Sequence, residues 1–322
     1  MAINRVLYAT QTARLFTGTK WYALPAQSAS ADETIPQDDV LVLGKLGGVA
    51  RLQKDVATAK ASLKVFLCDT IQIDKTNYSS FDATAAENEA NLKEGEIVNI
   101  PTMLSALETD SIAGANVTVN VDSTGLNTVS ASDGFSFVGI ATSIGIDASK
   151  GAFPMIDLGF EGIGRLNTLA MGVSSTLADT VGGDWYVTAA TPLTSRNVSI
   201  DSASTDTVAS VKSSYDMPTE TLSRLGGLIV GSQSVVAADN QMFSKPPFKA
   251  SMTADGQNLA LVATQWAGTG AKIVFDGNAG DLKVEIGSTG LNVSTKSFSQ
   301  NVGDIGATFS VTAEGTKMTF LA

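Results

Sequence analysis

Side chains able to move protons or hold metals are scarce in this chain, and their spacing fits no common site. Its 322 residues include no histidine and a single cysteine, Cys68. Histidine is the usual base near neutral pH and the commonest metal ligand, and paired cysteines build zinc and redox centres. Carboxylate chemistry is what remains. Asp276, Asn278, Asp281 and Glu285 offer oxygens to a calcium ion, yet the twelve-residue loop register fails because its last position would be Gly287. Asp38 and Asp39 are adjacent, so on a strand they point to opposite faces and make no acid–base pair. A glycosidase needs only two acids, but its groove normally carries several aromatics, and 7% aromatic content with three tryptophans gives that reading little support.

The other motifs read more simply as structure. Gly159, Gly162 and Gly164 do not have dinucleotide-fingerprint spacing, and no helix pattern follows them. Cys68 follows Val65, Phe66 and Leu67, where a lone thiol acts as a small buried hydrophobe. Trp185-Tyr186-Val187 reads as a strand entering the core. The expectation is a protein that is not an enzyme, with no catalytic, cofactor-binding or metal-binding residues and no cofactor.

Elements that could position anything are mainly strands. Ala59, Ala61, Leu63, Val65 and Leu67 alternate with Lys60, Ser62 and Lys64, the period of a half-buried strand. Val117, Val119 and Val121 repeat that pattern, and Leu282, Val284 and Ile286 do so opposite Asp281, Lys283 and Glu285. Asp133-Gly134 and Asp276-Gly277 are hairpin-type dipeptides, and Gly125 and Gly290 also suit turns. Helical signal is confined to residues 81–93 and, after Pro101, residues 102–107. Sheets this abundant need closure, covering or partners for their edges.

Several short phrases occur twice in the same order. Ser123-Thr124-Gly125-Leu126-Asn127 returns as Ser288-Thr289-Gly290-Leu291-Asn292, each after alternating valines or isoleucine. Ile35-Pro36 leading into Leu46-Gly47-Gly48 is echoed by Met217-Pro218 leading into Leu225-Gly226-Gly227, and Glu161-Gly162 by Glu314-Gly315. Unequal spacing with conserved order is what duplication with insertions produces. The boundary is then expected between residues 166 and 180.

Charge and targeting narrow the partners. Twenty-one basic against 32 acidic residues give a formal charge of -11, which opposes tight nucleic-acid binding but suits a surface that DNA passes without sticking. The first residues lack the apolar core and cleavage site of a secretion signal, and no apolar run is long enough to span a bilayer. Synthesis in a reducing cytoplasm is the expectation.

Residues 35–46, Ile-Pro-Gln-Asp-Asp-Val-Leu-Val-Leu-Gly-Lys-Leu, followed by the alternating strand to Leu67, resemble a segment of the tail tube (major tail) proteins of long-tailed bacteriophages. Phe137-Val138-Gly139-Ile140-Ala141, Ala152-Phe153-Pro154 and Leu158-Gly159-Phe160-Glu161-Gly162 are similar to the later strand pair of that family. The resemblance covers about half the chain, mostly before Arg165. It implies a mostly-β fold, a tail-tube-type β-sandwich or barrel with a short flanking helix; the repeated phrases then suggest two tandem copies, in residues 1–166 and 167–322.

Further implications are a virion location in the tail and assembly into stacked rings, trimeric pseudo-hexamers or hexamers, with tape-measure and terminator proteins as neighbours. DNA would be present only in transit. Asp38, Asp39, Lys45 and Arg51 are the expected intersubunit charges. Alternatives are a capsid cement protein and, for residues 249–322, a separate immunoglobulin-like module.

Overall fold

The structure is a computed structural model that describes residues 11–17, 21–53, 57–74, 100–113, 117–123, 135–149, 151–163, 167–168, 186–192, 198–200, 208–222, 241–256, 270–275, 281–287, 292–300 and 307–321. The expected helix at 81–93, the Asp133-Gly134 and Asp276-Gly277 turns, Gly125, Gly290, Asn278, Gly164 and Trp185 lie outside them.

The chain is mostly β. Its first half carries β1 (Gln11–Phe16), β2 (Trp21–Leu24), β3 (Ala26–Thr34), β4 (Gln37–Leu41), β5 (Gly48–Gln53), β6 (Thr58–Phe66), β7 (Cys68–Asp74), helix α1 (Ile100–Ala113), β8 (Val117–Ser123), β9 (Phe135–Ser149) and β10 (Met155–Ile163). There follow β11 (Asn167–Thr168), β12 (Tyr186–Pro192), β13 (Val198–Ile200), β14 (Val208–Asp216), β15 (Thr219–Leu222), β16 (Gln241–Ser244) and β17 (Lys249–Gly256). The last strands are β18 (Gly270–Phe275), β19 (Leu282–Gly287), β20 (Asn292–Ser299), β21 (Thr308–Gly315) and β22 (Met318–Leu321).

Alternation in the sequence becomes alternation in burial. Along β6, Ala59, Ala61, Leu63 and Val65 are buried while Lys60, Ser62 and Lys64 are exposed. β8 and β19 likewise bury the valines, leucine and isoleucine read as their inner faces. Gly159 and Gly162 lie within β10, and Cys68 is a buried free thiol.

Strand β9, fifteen residues long, belongs to two sheets. Its first residues pair with β8 and β11, and β8 continues to β1 and β2. From Ile140 onward it pairs with β10 on one side and β14 on the other. The result is an eight-stranded antiparallel run in the order β3-β6-β10-β9-β14-β17-β21-β20. The β9–β14 ladder thus joins residues before 166 to residues after it, and β17, β21 and β20 from residues 249–322 extend the same sheet.

Two stretches of that run have the same internal order. In β3-β6-β10-β9, and again in β14-β17-β21-β20, the strand latest in the chain lies third and its predecessor lies at the end. Irregularities coincide as well. The β3–β6 ladder skips a residue between Ala26 and Ser28, and the β14–β17 ladder skips one between Val208 and Ala209's successor Ser210. The β10–β9 ladder skips Thr142, between Ala141 and Ser143; the β21–β20 ladder skips Ser294, between Val293 and Thr295. A hairpin leaves the sheet after the first strand of each stretch, β4–β5 in one and β15–β16 in the other.

One face of the eight strands meets the core, which a second layer completes. That layer contains β1, β2 and β8, the four-stranded sheet β13-β18-β19-β22, and α1. Pro101 sits in the first turn of α1, where its missing N–H costs no helical hydrogen bond. Ile100, Met103, Leu104 and Leu107 share the buried face, packed against β22 and β9. The helix runs on to Ala113, six residues beyond the expected 102–107, and Glu108 on this extension is also buried.

Candidate assembly edges and sheet face

The face of the eight-stranded sheet turned away from the core is polar and built from small side chains. Ladder registers place Ser62, Gly159, Ser143 and Asp216 in one row, and Lys64, Asp157, Gly145, Ser214, Ser251 and Glu314 in another. Acids outnumber bases on this face: Asp32, Asp147, Asp157, Glu161, Asp216, Asp255 and Glu314 against Lys60, Lys64, Lys212 and Lys249. Some are tied across strands. Lys60 Nζ lies 3.3 Å from Glu161 Oε1 and Lys212 Nζ 3.3 Å from Asp147 Oδ2, while Ser210 Oγ donates to Asp255 Oδ2 at 2.6 Å. Exposed pairs of this kind add little stability.

The two ends of the run are open edges among the described residues: β3 pairs only with β6, and β20 only with β21. An open edge presents unpaired backbone N–H and C=O groups, a template for another chain. The β20 edge also exposes apolar surface. Phe298 is 62% exposed, held at 5.3 Å between ring centroids against Phe309. Ile146 is its counterpart on β9, four ladder positions from the same bulge, and is 2% exposed because β14 lies alongside.

All four charges expected at an interface, Asp38, Asp39, Lys45 and Arg51, fall on the β4–β5 hairpin. Asp39 stands opposite Arg51 and Asp38 opposite Leu52. Lys45 is in the turn, where its N–H donates to the Val42 carbonyl at 3.2 Å. Gly44 and Gly47 have φ of 86° and 99°, a conformation that side-chain-bearing residues rarely adopt. The sequence reading missed the apolar character of this tip. Leu41, Val42, Leu43, Leu46 and Val49 are all exposed, with Leu43 and Leu46 as open to solvent as in an extended chain. The signal was the unbroken apolar run Val40 to Leu43.

Perturbed titratable groups lie beneath the sheet and not on its polar face. Burial raises the Glu108 carboxyl, opposed by Lys317 Nζ 3.7 Å away. Tyr215 is pushed up to about 12 by burial and then by the Glu108 charge, and its hydroxyl finds no hydrogen-bond partner among the described residues. No group of three or more acidic or cysteine side chains among the described residues is arranged to hold a metal ion. Glu285, weighed above as a calcium ligand, instead pairs with Lys272 Nζ at 3.3 Å. No helix among the described residues is long and apolar enough to cross a membrane.

Compared with protein-family models and with curated proteins, the chain matches none.

Proposed function

We propose that this chain is a virion structural protein, a tail tube subunit made of two tandem copies of one unit, and that three chains close into a ring. Stacked rings form the conduit through which DNA is ejected. The observation that carries this reading is the repeated strand order, β3-β6-β10-β9 then β14-β17-β21-β20, with ladder bulges at matching places. Two of the three sequence echoes fall into the same scheme. Ile35-Pro36 and Met217-Pro218 both lead from a first strand into its hairpin, and Glu161-Gly162 and Glu314-Gly315 both lie on a third strand.

Geometry favours three chains. Eight strands from each of three chains, spaced about 4.8 Å and tilted about 40°, close at a backbone diameter of about 48 Å. Side chains lining such a barrel leave room for a DNA duplex. Six chains of this length would double the diameter and leave a far looser channel. The polar face with its excess of acids would line the lumen, where like charge keeps DNA from adhering. The apolar β4–β5 tip, with Asp38, Asp39, Lys45 and Arg51 on its flanks, would then reach the next ring. Tape-measure and terminator proteins are the partners such a tube would meet at its interior and end.

Electron microscopy of the concentrated, purified chain tests this directly. Hollow tubes or stacked rings with threefold averages are expected. Monomers that bind the outside of empty capsids would replace the tube reading with that of a cement protein.

A further inference from the structure

The joint between the two units inside one chain also specifies the joint between chains. Resting on the ring reading, we infer that β20 of one chain pairs antiparallel with β3 of the next in the register of the β9–β14 ladder.

Matching ladders fix which residues correspond. Taking Glu161-Gly162 as equivalent to Glu314-Gly315, the third-strand ladders carry Ala59 onto Ala250 and Ala61 onto Met252. The next ladders carry Ala31 onto Ser213 and Glu33 onto Tyr215. Continued along the chain, the same offset places Pro36 on Pro218. The hairpins agree too: Gln37 faces Gln53 where Thr219 faces Ser244. On the remaining strands Ser143 corresponds to Thr295, Ile144 to Lys296, Ile146 to Phe298 and Asp147 to Ser299, on the far side of the shared bulge.

Inside the chain, β9 and β14 align Ser143 with Asp216, Ile144 with Tyr215, Ile146 with Ser213 and Asp147 with Lys212. Replacing each by its counterpart sets Thr295 opposite Thr34 of the next chain, Lys296 opposite Glu33, Phe298 opposite Ala31 and Ser299 opposite Ser30. Three features of these edges suit that register. Opposite charges meet at Lys296 and Glu33. Phe298, exposed at its own edge, meets a small residue that leaves space for the ring. And β3 presents Ala29 and Ala31 at the places where β14 has Val211 and Ser213, so no bulky side chain obstructs docking.

The chemistry of the occupant is therefore a second copy of this chain, and the contact is heterologous, β20 to β3. Such a contact closes or propagates according to the angle it sets. Repeating the β9–β14 register between chains would continue one antiparallel sheet from chain to chain, as the proposed ring requires.

Cysteine pairing reads the register. In full-length protein carrying Ser30→Cys and Ser299→Cys, the two thiols take the places of Lys212 and Asp147, whose side chains already touch at 3.3 Å. Mild oxidation is expected to give covalent dimers and trimers on a non-reducing gel, with little above the trimer. Ser30→Cys with Ser297→Cys, two residues out of register, is expected to cross-link at least tenfold more slowly.

A second arm uses charge. Lys296→Glu is expected to abolish rings, and adding Glu33→Lys to restore them. Rings on the grid with no cross-link from the 30/299 pair, or with equal cross-linking from the 30/297 pair, would overturn the register while leaving the ring reading standing. Failure of the wild-type chain to form rings would remove both. Failure of the charge swap to rescue, with rings intact in the wild type, would also count against this pairing.

Discussion

Strands β3 and β14 occupy the same place in two stretches of sheet with the same strand order, yet one lies at an edge and the other between two neighbours. Their composition follows that difference. At three successive inward positions β14 carries Val211, Ser213 and Tyr215, all buried, Tyr215 completely. β3 carries Ala29, Ala31 and Glu33 at the matching places, with Ala29 and Glu33 exposed. A central strand is covered on both flanks and can bury a large aromatic; an edge strand in an isolated chain must remain soluble, and charge or small residues there discourage unregulated pairing. Equivalent backbone therefore supports unlike side chains when the neighbours differ.

The same difference explains what could be seen in the sequence. β6, β8 and β19 were legible because each buries one face and leaves the other polar, which imposes a period of two. The echoes at Pro36 and Pro218, and at Gly162 and Gly315, were legible because these residues lie at matching places in the two stretches. The match between β3 and β14 was not legible, because the edge and central positions select different side chains. Sheet order was hidden as well, since hydrogen bonding between β9 and β14 leaves no periodic trace in either strand. The candidate interface was half visible. Its hairpin charges stood out, but the exposure of Leu43, Leu46 and Phe298 depends on what does not cover them.

Truncation at positions 215 and 33 should separate the two strands most sharply. Tyr215→Ala removes a completely buried ring and is expected to destabilise the folded chain by about 3–5 kcal/mol. Glu33→Ala, at the matching exposed position, should change it by no more than about 0.5 kcal/mol. Urea unfolding of dilute protein measures both. Similar losses at the two sites would mean that β3 is covered in the free chain and that the edge argument is mistaken.

The β9 and β20 pair gives a smaller contrast of the same kind. Ile146→Ala should cost about 2–4 kcal/mol, whereas Phe298→Ala should cost under about 1 kcal/mol in the free chain, where the ring touches mainly Phe309. The proposed rings would reverse the ranking of what Phe298 contributes. In rings, dissociation monitored by light scattering on dilution should occur at a roughly tenfold higher protein concentration for Phe298→Ala than for wild type. An unchanged dissociation concentration would show that the β20 edge is not an interface.

The smallest effect concerns the seam where the halves meet without a repeated counterpart among the described residues. Glu108 on α1, from the first half, is buried beside Lys317, between β21 and β22 of the second, and its charge acts on Tyr215 of β14. Burial raises the Glu108 carboxyl above its unfolded value, so the folded state binds more protons than the unfolded one between those two values. Stability from this group is therefore greatest at low pH and is lost as pH rises through the folded pKa. Glu108→Gln removes the burial cost of the charge and keeps a polar side chain in place. Lys317 loses a partner, but its ammonium is largely exposed and gives up little. The variant should match wild type near pH 4 and melt higher by about 1–3 °C at pH 8. A variant that instead melts lower at pH 8 would identify the Glu108–Lys317 pair as a net clasp between the halves, and would make the seam, not the β9–β14 ladder alone, responsible for holding their relative angle.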